Sequence, residues 1–187
     1  MLPIIPFAHS LIEEIVQPGD QVIDATCGNG NDTLLLSTLV EETGNVYASD
    51  IQEQAIHTTQ QTIQEHKRNN VSYILDSHAN LAEHLPSCTK ENIAAIIFNL
   101  GYLPKSDKKI ITQPASTKKA ITQLLPYLKK GGRIVLVIYH GHVGGEIEKD
   151  AVLKLAAELD QKQYQVLQYQ FINQQNTPPF VVAIERK

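Results

Sequence analysis

The chain has 187 residues, a formal net charge of −4 and 42% hydrophobic residues. This length fits one domain with its own core, so we expect residues 1–187 to form a single domain. The acidic balance argues against a globally basic nucleic-acid binder, and two cysteines, Cys27 and Cys88, are too few for a disulfide framework. No basic leader opens the chain, and its longest aliphatic run, residues 134–138, is too short to span a bilayer. We therefore expect a cytoplasmic protein without a membrane partner.

Helix and strand patterns alternate along the chain. The sequence predicts strands at 21–25, 45–50, 71–75, 93–99, 133–139, 163–171 and 180–185. It predicts helices at 7–16, 32–40, 52–66, 77–84, 114–128 and 146–159, with a sharp turn at Gly131 and Gly132 before the fifth strand. This alternation, closed by a hairpin, predicts an α/β, Rossmann-like, doubly wound sheet that is mostly parallel, with one antiparallel C-terminal strand. Ligands of such sheets bind beyond the carboxyl ends of the strands.

A glycine-rich turn follows the first predicted strand. The residues assigned here to a cofactor are Asp24, Thr26, Gly28, Asn29, Gly30, Asn31 and Asp32. Two glycines one residue apart allow a tight turn and close approach to a ligand, and the next helix begins with unpaired N–H groups. A dinucleotide site would have a third small residue where this chain has Thr33. The carboxylate of Asp24 instead suits the ammonium group of S-adenosylmethionine; a tight loop without a ligand is the alternative.

Acidic residues also end the second and third predicted strands. An acid at the second strand end accepts hydrogen bonds from both ribose hydroxyls, and a carboxylate or serine at the third can meet the adenine edge. The residues assigned at these two ends are Asp50, Ile51, Gln52, Asp76, Ser77 and His78. Three acidic strand ends together with the glycine loop predict S-adenosylmethionine as the cofactor.

The fourth predicted strand ends in the sequence Asn-Leu-Gly-Tyr-Leu-Pro, which begins at Asn99. It resembles the motif of amino-group methyltransferases, in which Asn or Asp is followed by two residues that are often prolines and then by an aromatic residue. There the Asn oxygen and the next carbonyl orient the target amine, so we assign Asn99 and Leu100 to orientation and Tyr102 to stacking on the base. Asn99 is also expected beside the cofactor. Leu100 and Gly101 in place of two prolines indicate a different amine.

The fifth predicted strand leads into a histidine-containing loop. Tyr139, His140 and His142 are expected to contact the base or to relay a proton, because histidine titrates near neutral pH. The alternative is a loop histidine that caps the helix at Glu146. A His-x-His pair can also bind a metal, but no third ligand is apparent in the sequence, so we expect no metal. His9, near the N-terminus, is interpreted as structural or as a lid contact.

Positive charge is concentrated between residues 105 and 133. This segment has eight basic residues and one acidic residue, which indicates a phosphate-rich partner. The residues assigned to substrate RNA are Lys105, Lys108, Lys109 and Lys118. Lysines on a solvated surface are the alternative.

Three motifs together resemble one known family. The motifs are residues 23–33, residues 99–104 and residues 138–145, and the pair Pro178 and Pro179 also matches. They are similar to the putative rRNA methylase family of Gram-positive bacteria. The resemblance implies a class I methyltransferase fold, S-adenosylmethionine as the donor and the anticodon arm of tRNA as the partner. The implied reaction is methylation of the aminomethyl group on the thiolated wobble uridine.

Other functions remain open on the sequence alone. One is methylation of an rRNA base or of a small-molecule amine, although a small-molecule enzyme has no use for the lysine-rich segment. Another is a non-catalytic, cofactor-binding RNA protein, against which the intact Asn99 motif argues. The family often has two glycines where this chain has Lys105 and Ser106. A homodimer is a candidate assembly.

Overall fold

The computed structural model describes residues 1–101 and 112–187, and its seven strands in these ranges form one sheet. The strands are β1 (Gln21–Asp24), β2 (Asn45–Asp50), β3 (Val71–Leu75), β4 (Ile93–Leu100), β5 (Leu128–Ile138), β6 (Tyr164–Tyr169) and β7 (Phe180–Arg186). Their order across the sheet is β3-β2-β1-β4-β5-β7-β6. Pairs among β1 to β5 are parallel, whereas β7 is antiparallel to β5 and to β6. The predicted mostly parallel sheet with one antiparallel C-terminal strand is confirmed.

Helices cover both faces of the sheet. In the described ranges they are α1 (Ile4–Glu13), α2 (Asn31–Val40), α3 (Glu53–Glu65), α4 (Leu81–His84), α5 (Pro114–Leu124) and α6 (Gly145–Ala157), with 3-10 turns at His78–Asn80, Ser87–Thr89 and Leu125–Tyr127. Successive strand residues point to opposite faces, so Val22 packs with α1 and α2 while Ile23 packs with α5 and α6. The result is a three-layer α/β/α arrangement with a core on each side of the sheet.

Two helix boundaries differ from the sequence prediction for reasons of proline geometry. The first helix begins at Ile4, earlier than expected, because Pro6 lies in its first turn, where a missing N–H breaks no helical hydrogen bond. The predicted helix 114–128 ends at Leu124, because Pro126 has no N–H to continue the helix, and the chain tightens into a 3-10 turn.

The predicted turn at Gly131 and Gly132 lies inside β5, which begins at Leu128. Ile93 pairs with Leu128, and the next pair joins Ala95 to Arg133, so the residues between form a bulge. Gly131 has a φ of 76°, in the left-handed region that glycine tolerates. A Cβ on Gly132 would lie 2.8 Å from the carbonyl oxygen of Ile93. The sequence therefore predicted the glycine turn. It did not predict that Leu128, at the start of β5, pairs with Ile93 of β4.

The strand order reverses between β1 and β4, because β2 and β3 extend the sheet on one side and β5 extends it on the other. Such a switch point opens a crevice at the carboxyl ends of the strands. The strand tips bring five predicted site residues there in sheet order: Asp76, Asp50, Asp24, Asn99 and Tyr139. Within residues 1–101 and 112–187, every helix is too short or too polar to cross a bilayer.

Candidate active site

Asp24 is a fully buried carboxylate at the tip of β1. Its Oδ2 accepts a hydrogen bond from Thr33 Oγ1 at 2.6 Å, and its Oδ1 accepts one from the Thr26 N–H at 3.2 Å. Burial raises the pKa of Asp24 to about 7, the charge of Asp32 adds to that rise, and the two hydrogen bonds oppose it. A buried carboxylate keeps its charge best beside a cation, so this position suits a cationic ligand.

The glycine loop is held between β1 and α3. Gly28 and Gly30 have φ values of 52° and 80°, and Gly30 is the N-cap of α2. Thr59 of α3 donates a hydrogen bond to the Gly28 carbonyl at 3.3 Å. Asn29 in the loop and Asn31 at the start of α2 are exposed. The first N–H groups of α2 have no partner within the helix, so this end of the helix suits an anionic or polar ligand group.

The Gly30→Ala variant should lower the free energy of unfolding by about 2 kcal/mol, and by more than Gly131→Ala does, because a left-handed backbone disfavours a side chain and α3 crowds the added Cβ. A Cβ there would also lie 3.0 Å from Thr59 Cα. Urea unfolding measures the change. Gly131→Ala is the matched control, since it has a left-handed φ of 76° but no atom within 4 Å of the added Cβ. Equal losses in both variants would contradict close packing of α3 on the loop.

Asp50 ties the tip of β2 to the glycine loop. Its Oδ2 accepts the Gly28 N–H at 3.1 Å, and its Oδ1 accepts the Gln52 N–H at 2.9 Å. Burial raises the pKa of Asp50, and these backbone hydrogen bonds oppose the rise. Each carboxylate oxygen has a second lone pair, which is what a vicinal diol would require. The next side chain, Ile51, is 62% exposed, an apolar surface beside the crevice.

At the tip of β3, the side chains of Asp76 and Ser77 hydrogen-bond to neighbouring residues of the protein. Asp76 accepts hydrogen bonds from the Ser77 N–H and from Asn80, and its other oxygen lies 2.8 Å from His84 Nε2. These contacts, led by His84, lower the pKa of Asp76. The Ser77 hydroxyl accepts the Ala79 N–H and caps the 3-10 turn. The assignment of these residues to adenine stays a prediction.

His78 contacts residues of β4 and α5. Its ring packs edge-on against Phe98, with the centroids 5.8 Å apart, and its Nε2 lies 3.4 Å from Thr117 Oγ1 on α5. Burial lowers the pKa of His78 to about 4. Its assignment to the cofactor stays a prediction.

Asn99 is the centre of a polar network at the tip of β4. Its backbone N–H donates to Thr26 Oγ1 at 2.7 Å, and its side-chain Nδ2 donates to Asp32 Oδ2 at 2.5 Å. The other oxygen of Asp32 lies 2.7 Å from His9 Nε2. Because the amide NH₂ faces a carboxylate, the Oδ1 of Asn99 is left as the acceptor for a ligand.

Sequence reasoning interpreted His9 as structural or as a lid contact and missed its pairing with Asp32. His9 lies on α1, and 23 positions separate it from Asp32. A single histidine on an amphipathic helix carries no local signal of such a contact. Only the packing of α1 against the sheet brings the two side chains together.

Leu100 and Tyr139 meet on neighbouring strands. The Leu100 carbonyl accepts the Tyr139 N–H at 2.9 Å, so one of its lone pairs belongs to the sheet and only the second is left for a substrate amine. Tyr139 is 38% exposed. Burial and the nearby charge of Asp32 raise the pKa of its phenol. His142 is also close, with its ring Cε1 3.8 Å from the position of a Cβ on Gly101.

His140 is held inside the fold. Its Nδ1 lies 2.6 Å from Glu146 Oε1 on α6, and its Nε2 lies 3.2 Å from the Pro178 carbonyl. The ring also packs edge-on against Phe180 of β7. These contacts favour the alternative interpretation of His140 as a structural loop histidine. In the described part of the chain, no group of three or more His, Cys, Asp or Glu side chains is placed to hold a metal ion.

Four predicted substrate contacts, Tyr102, Lys105, Lys108 and Lys109, lie outside the described residues. Gly101 and Thr112, which flank that segment, are hydrogen-bonded to each other. Gly101 donates its N–H to Thr112 Oγ1 at 3.0 Å, and Thr112 donates its N–H to the Gly101 carbonyl at 2.9 Å. Thr112 Oγ1 also donates to Glu148, a buried carboxylate on α6. Lys118 is exposed on the second turn of α5.

Known proteins resemble this chain in both sequence and structure. A curated relative from Arabidopsis thaliana, named chloroplastic tRNA (mnm(5)s(2)U34)-methyltransferase, is 36% identical over 96% of this chain and 68% of its own length. A structure from Clostridium thermocellum, described as a putative rRNA-methylase, has a TM-score of 0.95 at 39% identity and covers 100% of both chains. A putative methyltransferase from Streptococcus mutans, in complex with SAH, has a TM-score of 0.90 at 42% identity, covering 100% of this chain and 99% of that one.

These structures confirm the predicted class I methyltransferase fold. Residues 46–185 match the family model described as Putative rRNA methylase, which agrees with the resemblance of the three sequence motifs. The matched segment contains the tips of β2, β3, β4 and β5. Since the family model matches residues 46–185 and the Arabidopsis thaliana relative matches 96% of this chain, this chain belongs to the putative rRNA methylase family.

Proposed function

We propose that this protein transfers the methyl group of S-adenosylmethionine to the aminomethyl amine of the thiolated wobble uridine in tRNA. Family membership and the SAH complex of the Streptococcus mutans relative support the donor. The name of the Arabidopsis thaliana relative supports the acceptor. The observation that carries the proposal is the Asn99 carboxamide, held by Asp32 through its NH₂ group at the strand tip next to Asp24.

The residues at the strand tips fit the chemistry of this donor. Asp24 would hold the ammonium group, because a cation offsets the cost of its buried charge. Asp50 would accept hydrogen bonds from the ribose hydroxyls with the lone pairs that Gly28 and Gln52 leave. When bound, the donor supplies an electrophilic methyl group on a sulfonium centre. The glycine loop lets the backbone approach it closely.

The acceptor amine must arrive without its extra proton, because only a free lone pair can form the new C–N bond. Asn99 Oδ1 would accept one N–H of the amine and aim the lone pair, which is orientation rather than proton transfer. Asn99 is half-buried, and removing an ammonium from water disfavours its charged form. After transfer, the secondary ammonium loses its proton to solvent.

A nucleoside assay tests the acceptor. The purified protein is incubated with methyl-labelled donor and with tRNA whose wobble position carries the aminomethyl-thiouridine, and the digested nucleosides are analysed by mass spectrometry. We expect label in the methylaminomethyl nucleoside and none in tRNA that lacks the aminomethyl group. Label in rRNA or in a small amine would support the alternative acceptors. Donor binding without transfer to any of these would support a non-catalytic protein.

RNA binding should depend on the lysines of the basic segment between residues 105 and 133. The Lys118→Glu variant is expected to weaken tRNA binding and to reduce the slope of log K against log salt by about one or more, because a phosphate contact is lost. The same direction is expected for Lys105 and Lys108. Filter binding at several salt concentrations measures both quantities. Lys162→Glu, an exposed lysine just before β6, is the matched control. Equal slopes for both variants would remove α5 from the RNA surface.

A further inference from the structure

His9 pairs with Asp32 beside Asn99, and neither the sequence motifs nor the proposed reaction gives this pairing a role. We infer that His9 is a positioning residue for methyl transfer, which acts through Asp32 to fix the orientation of the Asn99 carboxamide. This inference rests on the proposed function for its catalytic meaning. Its geometric content, a coupling between His9 and Asn99, can be measured without any substrate.

The coupling passes through one carboxylate. Asp32 Oδ1 lies 2.7 Å from His9 Nε2, and Asp32 Oδ2 accepts Asn99 Nδ2 at 2.5 Å. Three elements meet here, since His9 is on α1, Asp32 in the first turn of α2 and Asn99 near the end of β4. The side chain of Asp32 is only 14% exposed. Solvent therefore replaces these two partners poorly, and a carboxylate with a donor on each oxygen has a fixed rotation.

The orientation matters because the two ends of a carboxamide have opposite chemistry. An oxygen facing the substrate accepts an N–H from the amine, whereas an NH₂ group facing it would compete for the lone pair that must attack. Asp32 selects the productive orientation, because its oxygen can pair only with the NH₂ end. Without a donor on Oδ1, the carboxylate could turn toward an incoming ammonium and release Asn99.

The position of His9 is fixed by the packing of its helix. α1 buries Ile4, Ala8 and Ile12 against the sheet. Near the other end of the helix, Arg133 of β5 donates a hydrogen bond to the Leu11 carbonyl at 2.9 Å and pairs with Glu14 at 2.6 Å. The histidine is thus held on a rigid element rather than on a free terminus. Rigid support of this kind is what precise orientation of a reacting group requires.

Two substitutions at His9 separate positioning from packing. His9→Phe keeps a ring but removes the donor, and His9→Gln keeps an N–H donor of similar reach. His66→Phe is the matched control, because His66 is exposed at the end of α3, and its Nδ1 contacts a carbonyl of its own helix. The first readout is the side-chain ¹⁵N–¹H resonance of Asn99 in the ligand-free protein, identified by its loss in Asn99→Asp. The second readout compares the change in kcat for methyl transfer with the change in the Kd for SAH.

We expect the Asn99 amide resonance to move in His9→Phe, to return toward its wild-type position in His9→Gln and to stay in place in His66→Phe. We also expect kcat to fall by about tenfold or more in His9→Phe, because a misplaced orienting group slows transfer, with partial recovery in His9→Gln. The affinity for SAH should stay close to wild type in all three variants.

Two results would overturn the inference. One is an Asn99 resonance that His9→Phe leaves in place, and the other is a His9→Gln variant that resembles His9→Phe in both readouts. A wild-type protein that fails to methylate the tRNA would contradict the proposed function alone, since the resonance test contains no tRNA. The two failures are therefore distinguishable.

Discussion

Asn99→Ala should lower kcat for methyl transfer by about 100-fold or more while leaving the affinity for SAH nearly unchanged, because orientation of a reacting group contributes mainly to the chemical step. Asn99 donates its backbone N–H to Thr26 and its side-chain NH₂ to Asp32, so the carboxamide presents its oxygen in one direction. Alanine removes that acceptor and leaves the acidic strand tips intact. Single-turnover transfer of labelled methyl measures kcat, and calorimetry with SAH measures the affinity.

The control for Asn99→Ala is Asn92→Ala, because Asn92 is exposed before β4, far from the strand tips. It should behave as wild type in both measurements. Asn99 was also expected from the sequence to contact the cofactor, which gives the experiment its second outcome. If SAH affinity falls as much as kcat does, Asn99 is a cofactor residue, and the amine is oriented by another group.

Asp24→Asn is expected to abolish donor binding and to stabilise the ligand-free protein at pH 8. Folding raises the pKa of Asp24 from 3.8 to about 7. Between these values the folded state binds more protons than the unfolded state, so this residue's contribution to stability falls as pH rises. At pH 8 the folded protein therefore carries the full cost of a buried charge. Asparagine removes it, which we expect to raise the free energy of unfolding by on the order of 1–4 kcal/mol.

Urea unfolding at pH 8 and near pH 4 tests Asp24→Asn, and the stabilisation should shrink toward the lower pH. Asp150→Asn is the matched control, since Asp150 is an exposed carboxylate on α6. In the wild-type protein, donor affinity should weaken as pH falls below about 7, because protonated Asp24 cannot hold an ammonium. An Asp24→Asn variant that binds the donor normally would remove Asp24 from the cofactor site.

The strand tips could be predicted from the sequence because each lies directly beside an apolar run. Residues 93–100 are buried almost throughout in β4, and Asn99 is the polar exception near the end of the run. Asp24 and Asp50 end shorter runs in the same way. Parallel strands place their carboxyl ends at one edge, so sequence position alone puts these residues in one crevice.

Side-chain direction and long-range pairing could not be predicted in the same way. His140 belongs to a motif that suggests chemistry, yet its ring turns toward Glu146 and Pro178. Glu148 lies in a predicted helix with no local sign of burial, but it is buried and accepts hydrogen bonds from Thr112 and Thr117. Such contacts depend on how α6 packs against α5. No spacing within either helix encodes that packing.

The measurement that tests the central claim most directly is a crystal structure of this protein with SAH. The account predicts that the ribose hydroxyls contact Asp50, the amino group lies at Asp24, and the sulfur faces Asn99 Oδ1 across an open space for the amine. A ligand bound away from the tips of β1 and β2, or one whose sulfur faces away from Asn99, would contradict it.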